Sequence, residues 1–542
     1  MAETAFRPLP SRSSRRSSNS TYCRHREHGY THAACKAHAG LAAIAQRQEP
    51  RHVPRFESPD LPDRKSHLSL LVVILALLTC VRLAGLTLSV VDLFDDEAQY
   101  WSWSRDLAFG YYTKPPLLAW LLGLTSQVCG DAEWCVRSPA PILYFATSLT
   151  AYFAARNFYD ERTGFWAALL TALTTGIVFS ARIMSTDVPL LFFWTLALLA
   201  YSHLLRKADK AWAVVLGVSI GLGLLSKYAM IYFIPGMFLA ALASPSARNL
   251  LKTSAIWLAM AVAAIVVAPN VIWNAQNDFA TFHHTGNLVL GEQFKPSIVR
   301  ILDFIVSQFG VFGPVVFATM IIATAKLGST DLKEEDRVMV AFFITPLVLI
   351  TLVSSVVHAY ANWASVSAIS GLILTAGLLL RQGRLFWLRA SIVLGVAMQG
   401  MLLTTDSIAT RLSLPFVQRN PYRHTIGLHD YADRIGHLAT SLGAAGVVID
   451  DRGKFAILRY YLRDQPFQIL SWGTVDNPSF DRAHPLSQSA AQPLLFVSSC
   501  PNASRLQAYF SDVTALGAFD GFSAFLIRGP EGPIGILRRC GT

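Results

Sequence analysis

The feature that most constrains this chain is a series of apolar runs, each about 20 residues long, that recurs between residues 67 and 405. A run of this length crosses the hydrocarbon core of a bilayer as an α-helix. Only 15% of the 542 residues are charged, whereas a soluble domain carries about 25%. The sequence therefore predicts a polytopic α-helical membrane protein and not one large soluble core.

The apolar runs divide the chain into three predicted parts. Eleven spans are predicted, at about 67–91, 138–158, 165–184, 188–205, 212–229, 230–244, 253–272, 299–325, 338–357, 364–380 and 386–405. Residues 1–66 are rich in Ser, Arg and His, which predicts a disordered basic tail. Residues 406–542 alternate short apolar strands (447–449, 467–470, 494–497 and 525–527) with helical segments (454–463 and 504–510), which is typical of a small α/β domain.

The distribution of charge predicts the orientation of these spans. The tail holds twelve Lys and Arg against six Asp and Glu, whereas residues 92–136 hold seven acids against only Arg105 and Lys114. Because Lys and Arg accumulate in cytoplasmic loops, the N-terminus is predicted to be cytoplasmic and the acidic loop extracytoplasmic. An odd number of spans then places the α/β domain outside as well. The basic tail lacks interleaved aromatic residues and any nucleic-acid-binding motif, so no nucleic-acid partner is predicted.

Four cysteines lie in parts of the chain that this topology places outside the cytoplasm. Cys129 and Cys135 flank a short segment of the acidic loop, and Cys500 and Cys540 lie in the α/β domain. Disulfides 129–135 and 500–540 would suit an oxidising compartment, but four free thiols remain an open alternative, since a sequence alone does not establish connectivity.

The predicted outer loops collect polar residues that chemistry could use. These residues are Asp96, Glu97, Lys114, Asp187, Lys227, His283, His284 and Asn362. A lysine can hold a phosphate as a point charge, and a carboxylate can accept the proton of an attacking hydroxyl. Together they suggest a cavity at the membrane surface that binds an amphiphile with an anionic head.

Four motifs around these residues, taken in order, resemble a known family. They are DDEAQYWSWS with GYYTKPPL (95–104 and 110–117), STDVPL (185–190), GLLSKY (223–228) and ANWA (361–364). They look like those of the GT-C glycosyltransferases that use polyprenyl-phosphate sugars. The likeness is strongest to the lipopolysaccharide-core and lipid A galacturonosyltransferases. The aminoarabinose transferases of lipid A and the protein O-mannosyltransferases are more distant.

The resemblance implies roles for the matching residues. Asp96 corresponds to the catalytic carboxylate, Asp187 to a second acid near the reaction centre, and Lys114 and Lys227 to positions that hold the donor phosphate. Glu97 is either a third catalytic acid or a helix cap, and Arg182 either binds an anionic group of the donor or pairs with Asp187. An acceptor or lipid groove is predicted at Tyr100, Trp101, Tyr112, His284, Asn362 and Trp363.

Two positions depart from the aminoarabinose transferases. Gln99 stands where those enzymes typically have arginine, and Thr113 stands where they have an acid linked to a metal site. His283 and His284 are interpreted as a solvated pair in a loop and not as metal ligands, because no third ligand at a suitable spacing is evident in the sequence. We therefore expect no obligatory metal and no cofactor.

The predicted function is transfer of a sugar from a polyprenyl-phosphate donor to lipid A or lipopolysaccharide core at the outer face of a bacterial inner membrane. The leaving phosphate needs only cations to stabilise it, and a single displacement with Asp96 as base inverts the anomeric centre. The alternatives are a lipid-linked sugar flippase and a protein O-glycosyltransferase. Against a flippase, the charges lie on outer loops and not at mid-span, and no inverted repeat is visible.

Overall fold

The computed structural model describes residues 64–290, 296–412, 420–475, 480–519, 521–538 and 540, which all belong to one compact unit. The predicted disordered tail lies outside the described residues, apart from its last three residues, which begin the first helix. The boundary predicted between residues 405 and 406 falls within the last turn of a helix and stays a prediction.

The first two-thirds of the described chain is helical. The helices are α1 Arg64–Leu88, α2 Asp95–Arg105, α3 Leu117–Cys129, α4 Glu133–Arg137, α5 Pro139–Phe158, α6 Glu161–Leu173, α7 Thr175–Ser180, α8 Asp187–Arg206, α9 Lys210–Ser226, α10 Phe233–Ala243, α11 Pro245–Leu251, α12 Ser254–Gln276, α13 Ala280–Leu290, α14 Ile298–Phe312, α15 Pro314–Ala325, α16 Glu334–Ser354, α17 Ser367–Arg381 and α18 Leu385–Ser407, with short 3₁₀ turns at Tyr228–Tyr232, Ala361–Ala364 and Ala409–Arg411.

The long apolar helices confirm a polytopic membrane protein. Within the described ranges, five helices are long and apolar enough to cross a bilayer, namely α1, α8, α12, α16 and α18. The bent pair α14–α15 counts as a sixth only if its two helices form one span, and α3, α9, residues 228–243 and α17 are shorter apolar helices. The predicted number of eleven spans is not confirmed by these lengths and stays a prediction.

Two predicted spans are broken helices. The prediction of one continuous helix at 299–325 is wrong, because α14 and α15 meet at an angle of 120°. Gly313 between them has a φ of +79°, which costs glycine little, and Pro314 starts α15 without a backbone N–H to donate. The predicted span 165–184 likewise divides into α6 and α7.

Close helix contacts in the bundle depend on small residues and buried aromatic rings. A Cβ at Gly217 of α9 would lie 2.4 Å from the carbonyl oxygen of Ala259 in α12. The neighbouring core contains Phe233, whose ring centroid lies 5.1 Å from that of Trp194 and 4.7 Å from that of Phe342. Since lipid is as apolar as these side chains, such close packing is what holds membrane helices together.

The predicted outer loop 92–136 folds into helices α2 and α3 and the start of α4, so it is an ordered layer of short helices. The Cys129–Cys135 disulfide ties the end of α3 to α4, with the two Cα atoms 5.9 Å apart. That predicted pairing is confirmed.

Beyond residue 420 the chain forms the predicted α/β domain. It contains α19 Leu428–Ser441, α20 Arg452–Tyr461, a 3₁₀ turn at Ala503–Arg505 and strands β1 Gly446–Ile449, β2 Gln468–Ser471, β3 Leu494–Ser498, β4 Phe510–Phe519 and β5 Phe522–Pro530. The strand order is β2-β1-β3-β5-β4. The strands β2, β1 and β3 are parallel, and β5 is antiparallel to both β3 and β4.

The four predicted strands and the helix at 454–463 are present, and the predicted Cys500–Cys540 disulfide is confirmed, with Cα atoms 5.6 Å apart. The helix predicted at 504–510 is wrong. The segment instead forms a 3₁₀ turn at Ala503–Arg505 and further turns up to Phe510, which begins β4 and pairs with Pro530 of β5.

The α/β domain packs through α20 on the layer of short helices formed by residues 92–136, called the outer layer below because of its predicted side of the membrane. The Trp101 ring of α2 meets the Tyr460 ring edge-on at a centroid distance of 5.0 Å. The hydroxyl of Tyr460 donates to the Asp131 carbonyl oxygen at 2.5 Å, and that of Tyr461 donates to Glu133 Oε1 at 2.5 Å. This contact places the start of α20 beside the start of α2.

Candidate active site

The site is built around the first turn of α2, which holds Asp95, Asp96 and Glu97. Three acids at a helix N-terminus are favoured by the helix dipole and by the unpaired backbone N–H groups there. The three side chains nevertheless face different surroundings, because successive positions on a helix point in different directions. Glu97 is buried, whereas the Asp96 side chain is 37% exposed.

Glu97 is held from every side. It forms an ion pair with Arg137, in which Nη2 donates to Oε2 at 2.8 Å and Nε donates to Oε1 at 3.0 Å. Oε2 also accepts from the Phe94 backbone N–H at 3.0 Å, and Oε1 from that of Met184 at 2.8 Å. Both oxygens are therefore engaged, and the geometry is that of the helix cap, one of the two predicted roles.

Asp187, at the start of α8, is buried in a polar cluster. Its Oδ1 accepts from Lys227 Nζ at 2.9 Å and from the Ser365 hydroxyl at 2.9 Å, and its Oδ2 accepts from Asn362 Nδ2 at 2.7 Å. Three of the four motifs thus meet at one carboxylate. The cluster joins the end of α9, the start of α8 and the 3₁₀ turn before α17.

Asp96 faces the α/β domain. Within the described ranges its one ionic contact is with Arg452, at the start of α20, where Nη2 lies 3.8 Å from Oδ1. Nη1 of the same guanidinium donates to Gln99 Oε1 at 2.9 Å. Asp95 packs against the next residue, since a Cβ added to Gly453 would lie 2.5 Å from Asp95 Oδ2. Burial raises the pKa of Asp95 above its ordinary value.

Lys114 lies within electrostatic range of Asp96, Lys227, Arg452 and Asp187. It follows Thr113 in the turn before Pro115-Pro116, where the Tyr111 N–H donates to the Lys114 carbonyl oxygen at 3.2 Å. Lys114 forms no ion pair with any residue that the structure describes. Its partial burial lowers the pKa of its ammonium group below the usual 10.5.

His284, on α13, covers the same region. Its ring centroid lies 5.2 Å from that of Tyr112. Burial, together with the nearby charges of Arg452 and Lys114, lowers its pKa to about 4, so the imidazole is neutral at physiological pH. The structure therefore brings together Asp96, Lys114, Tyr112 and His284 from the predicted set.

The predicted pairing of Arg182 with Asp187 is wrong. It does not pair with Asp187, because its guanidinium forms an ion pair with Asp406 at the end of α18 and lies 4.8 Å from the Phe179 ring centroid. The Tyr422 hydroxyl donates to the same Asp406 carboxylate at 2.7 Å. Arg182 thus connects the loop before α8 to the segment that leads into the α/β domain.

The predicted groove residues divide into two groups. Tyr100 and Trp101 are buried at 2% and 3% exposure, and the Trp101 Nε1 donates to Asp131 Oδ1 at 2.8 Å, so both serve the packing of α2 and offer no groove surface. Asn362 is exposed and lines a cavity, and Trp363 packs beside Phe304.

That cavity has a volume of about 500 Å³ and runs from the Asp187 cluster along the broken helices. Its walls are mostly apolar and come from α7, the end of α14, α18 and the 3₁₀ turn at 361–364. They include Tyr144, Thr175, Ile177, Phe179, Ile183, Leu191, Val311, Tyr360, Ala368 and Met398. The predicted third and eighth spans are broken at this cavity.

The residues present do not fit a metal ion. The described part of the chain contains no group of three or more His, Cys, Asp or Glu side chains close enough to hold one. Thr113, where the resemblance implies that a metal-linked acid is missing, has a buried hydroxyl with no hydrogen-bond partner among the described residues. No step of the chemistry below is therefore assigned to a metal.

Sequence reasoning missed three charged residues that shape the site, namely Arg137, Arg452 and Asp406. Each pairs with a residue of the predicted set, and each lies far from it in the sequence. A weak signal existed for Arg452, because it follows Asp450 and Asp451 directly after the buried strand β1, and polar residues at the end of a parallel strand mark functional edges.

Comparison with known proteins gives consistent matches. Residues 113–273 match the family model described as dolichyl-phosphate-mannose-protein mannosyltransferase. The chain is 33% identical over 396 residues to the lipid A galacturonosyltransferase RgtD of Rhizobium johnstonii, which covers 72% of this chain and 82% of that protein.

Two further matches concern aminoarabinose transferases. The undecaprenyl phosphate-alpha-4-amino-4-deoxy-L-arabinose arabinosyl transferase of Pseudomonas savastanoi is 28% identical over 25% of this chain and 26% of its own. The crystal structure of ArnT from Cupriavidus metallidurans bound to undecaprenyl phosphate superposes with a TM-score of 0.62 at 14% identity, over 86% of this chain and 98% of that one. At that identity the superposition shows a shared fold.

Proposed function

Because this chain belongs to the glycosyltransferase family of the lipid A galacturonosyltransferase RgtD, we propose that it transfers a uronic acid residue from a polyprenyl-phosphate donor to lipid A or the lipopolysaccharide core. The chain is a multi-pass membrane glycosyltransferase. The sugar, the acceptor and the roles of individual residues are the proposed part.

The observation that carries the proposal is the arrangement of charge at the end of an apolar cavity. Lys227 and Asp187 adjoin the cavity, and Lys114 lies in range of both with its charge unpaired in the described chain. A polyprenyl phosphate has the same two parts, an apolar chain that suits the cavity and one anionic group that suits the lysines. The chain would occupy the cavity, and the phosphate would bind Lys114.

The chemistry follows from what each group can do. The donor leaves as a phosphate, so Lys114 and Lys227 would stabilise the charge that grows on the departing oxygen, and no protein acid is required. Asp96 accepts no hydrogen bond from a side chain that the structure describes, so it would accept the proton of the attacking acceptor hydroxyl. One displacement from the face opposite the phosphate inverts the anomeric centre. Asp187 would fix Lys227 in place.

A transfer assay tests this proposal directly. Purified protein is given a polyprenyl-phosphate galacturonate and lipid A, and the product is followed by its mass and its anomeric configuration. Asp96→Asn should abolish most transfer, whereas Asp464→Asn, at an exposed carboxylate on the α/β domain (88% exposed), should leave it unchanged. A lipid that changes leaflet in proteoliposomes without any transfer would support the flippase instead. Transfer to a protein serine or threonine would support O-glycosylation.

The proposed topology has its own test. We propose that residues 92–136, the site and the α/β domain face the periplasm and that the N-terminus is cytoplasmic, because the short loops with Lys and Arg are predicted on the opposite side. A reporter active only outside the cytoplasm, fused after Thr542, should be active, and the same reporter fused near Asp209 should be silent. The reverse pattern would invert the proposed orientation.

A further inference from the structure

Arg452 is the one guanidinium that the described α/β domain extends toward Asp96. Asp451 caps α20 by accepting from the Lys454 N–H at 2.8 Å, which fixes the start of the helix. From there the Arg452 side chain donates to Gln99 Oε1 and approaches Asp96. It remains about one-third exposed, so it faces open space as well as its two neighbours.

Arg452 has no close ionic partner in the part of the chain that the structure describes. The Asp187 carboxylate already accepts hydrogen bonds from Lys227 and from two neutral donors. Asp96 is the carboxylate that pairs with Arg452 in the described chain, and this contact is loose at 3.8 Å, while Asp95 also lies within electrostatic range. Gln99, which accepts a hydrogen bond from Arg452, is neutral, so the guanidinium has no close ionic partner among the described residues.

A donor phosphate accounts for Lys114 but not for Arg452. The phosphate is bonded to the lipid chain, so it must stay near the membrane helices, where Lys227 lies directly after the end of α9. Arg452 comes from the opposite element, the α/β domain, and its ionic contact is with Asp96 and not with the Asp187 cluster at the cavity. A carboxylate on the sugar would give this guanidinium a close ionic partner, because a guanidinium binds a carboxylate through two parallel hydrogen bonds.

We propose that Arg452 binds the carboxylate of the uronic acid on the donor and so determines which sugar is transferred. The inference rests on the proposed function, because it assigns a residue to a part of that substrate. Gln99 supports Arg452 in this role by orienting the guanidinium without neutralising it. A carboxylate at position 99 would instead compete with the sugar for the N–H groups of the Arg452 guanidinium.

The test compares two donors that differ only at the sixth carbon, polyprenyl-phosphate galacturonate and polyprenyl-phosphate galactose. Arg452→Gln should lower kcat/KM for the galacturonate donor by about 10- to 100-fold, the usual effect of losing a hydrogen bond to a charged group. The galactose donor should be changed less than about threefold, since no charge is lost there. Arg452→Lys should restore part of the loss, because it keeps the charge without the fork.

Two further variants make the result specific. Gln99→Glu introduces a carboxylate at the position that now accepts from Arg452 Nη1, so it should reduce use of the galacturonate donor selectively even if Arg452→Gln folds poorly. Arg528→Gln, at an exposed arginine on β5 that pairs with Asp512 of β4, is the matched control and should leave both donors unchanged. Lys114→Gln should impair both donors alike, because both contain the phosphate.

Three outcomes would overturn the inference. Equal losses for the two donors would make Arg452 a positioning residue for Asp96. A loss that disappears when a phosphate-free lipid A replaces a phosphorylated one would assign Arg452 to the acceptor. If the wild-type protein used neither donor, the proposed function itself would fall, and the inference with it.

Discussion

Asp187 and Asp96 are two carboxylates of one site in opposite conditions. Asp187 is buried, and a lysine, an amide and a hydroxyl donate to it within 2.9 Å. Asp96 is more than one-third exposed, and its ionic partner among the described residues lies 3.8 Å away. The first lies between membrane helices, and the second lies between the outer layer and the α/β domain.

This difference suggests that Asp187 maintains the structure of the site and that Asp96 is available for its chemistry. A buried carboxylate that accepts three hydrogen bonds fixes the positions of its partners, because breaking any of these bonds leaves a buried polar group unpaired. A carboxylate with free lone pairs can still accept a proton or contact a ligand. We therefore expect substitution of Asp96 to affect turnover and substitution of Asp187 to affect stability first.

The largest effect is expected for Asp96→Asn. The change keeps the size of the side chain and removes its basicity, so turnover should fall by about two to four orders of magnitude, the range for loss of a general base. The free energy of unfolding should hardly change, since Asp96 is partly exposed. Single-turnover transfer and thermal unfolding in detergent measure the two quantities. Near wild-type turnover would remove Asp96 from the chemistry.

Asp187→Asn should reverse this pattern. It leaves Lys227 without its anionic partner, which should lower the free energy of unfolding by roughly 2–4 kcal/mol. Turnover should fall as well, because Lys227 is no longer fixed. Unfolding of the purified protein and transfer by the fraction that remains folded give the two values. A stable protein with no activity would make Asp187 the base and Asp96 its support.

A smaller effect is expected in the pH profile, through Lys114. The ammonium must be protonated to hold the phosphate, and burial lowers its pKa below 10.5. Transfer should therefore decline as the pH rises through that lowered pKa, earlier than for an exposed lysine. Lys114→Arg should shift the decline upward, because arginine stays charged to a higher pH. A profile that is the same in both proteins would show that another group limits the rate at alkaline pH.

The smallest effect is expected for Gly453→Ala. The new methyl group would meet Asp95 Oδ2 at 2.5 Å, so the Asp95 side chain or the start of α20 must shift, and Arg452 with it. We expect kcat/KM to fall severalfold, equivalent to about 1 kcal/mol. Gly400→Ala, which has open space around it, is the control and should have no effect on transfer. No difference between the two variants would mean that α20 adjusts without cost.

Much of this arrangement could be predicted from local sequence. The membrane class followed from apolar runs, and the sheet of the α/β domain from four short strands. The sequence also predicted that Asp187, Lys227 and Asn362 would lie close together around one cavity, although not which of them would pair. The failures were of another kind. Gly313 and Thr174 interrupt apolar runs whose hydropathy continues across them, so composition did not reveal the breaks.

The pairs that the sequence did not predict involve long separations. Glu97 pairs with Arg137 at a separation of 40 residues, and Arg182 pairs with Asp406 across 224. Gln99 and Arg452 are 353 residues apart, and they meet only because Tyr460 and Tyr461 pack α20 onto the outer layer. No periodicity or local motif encodes such contacts, since they depend on how separately folded elements pack.

The packing of α20 on α2 also limits how relatives of this protein could exchange parts. Asp96, the proposed catalytic base, lies on α2, and the guanidinium that faces it comes from the α/β domain, so a chimera that grafts a foreign α/β domain would bring a foreign residue to position 452. Such a graft would succeed only if Trp101, Asp131 and Glu133 were transplanted with it, because they receive Tyr460 and Tyr461. Sugar preference could then be inherited separately from the lipid carrier.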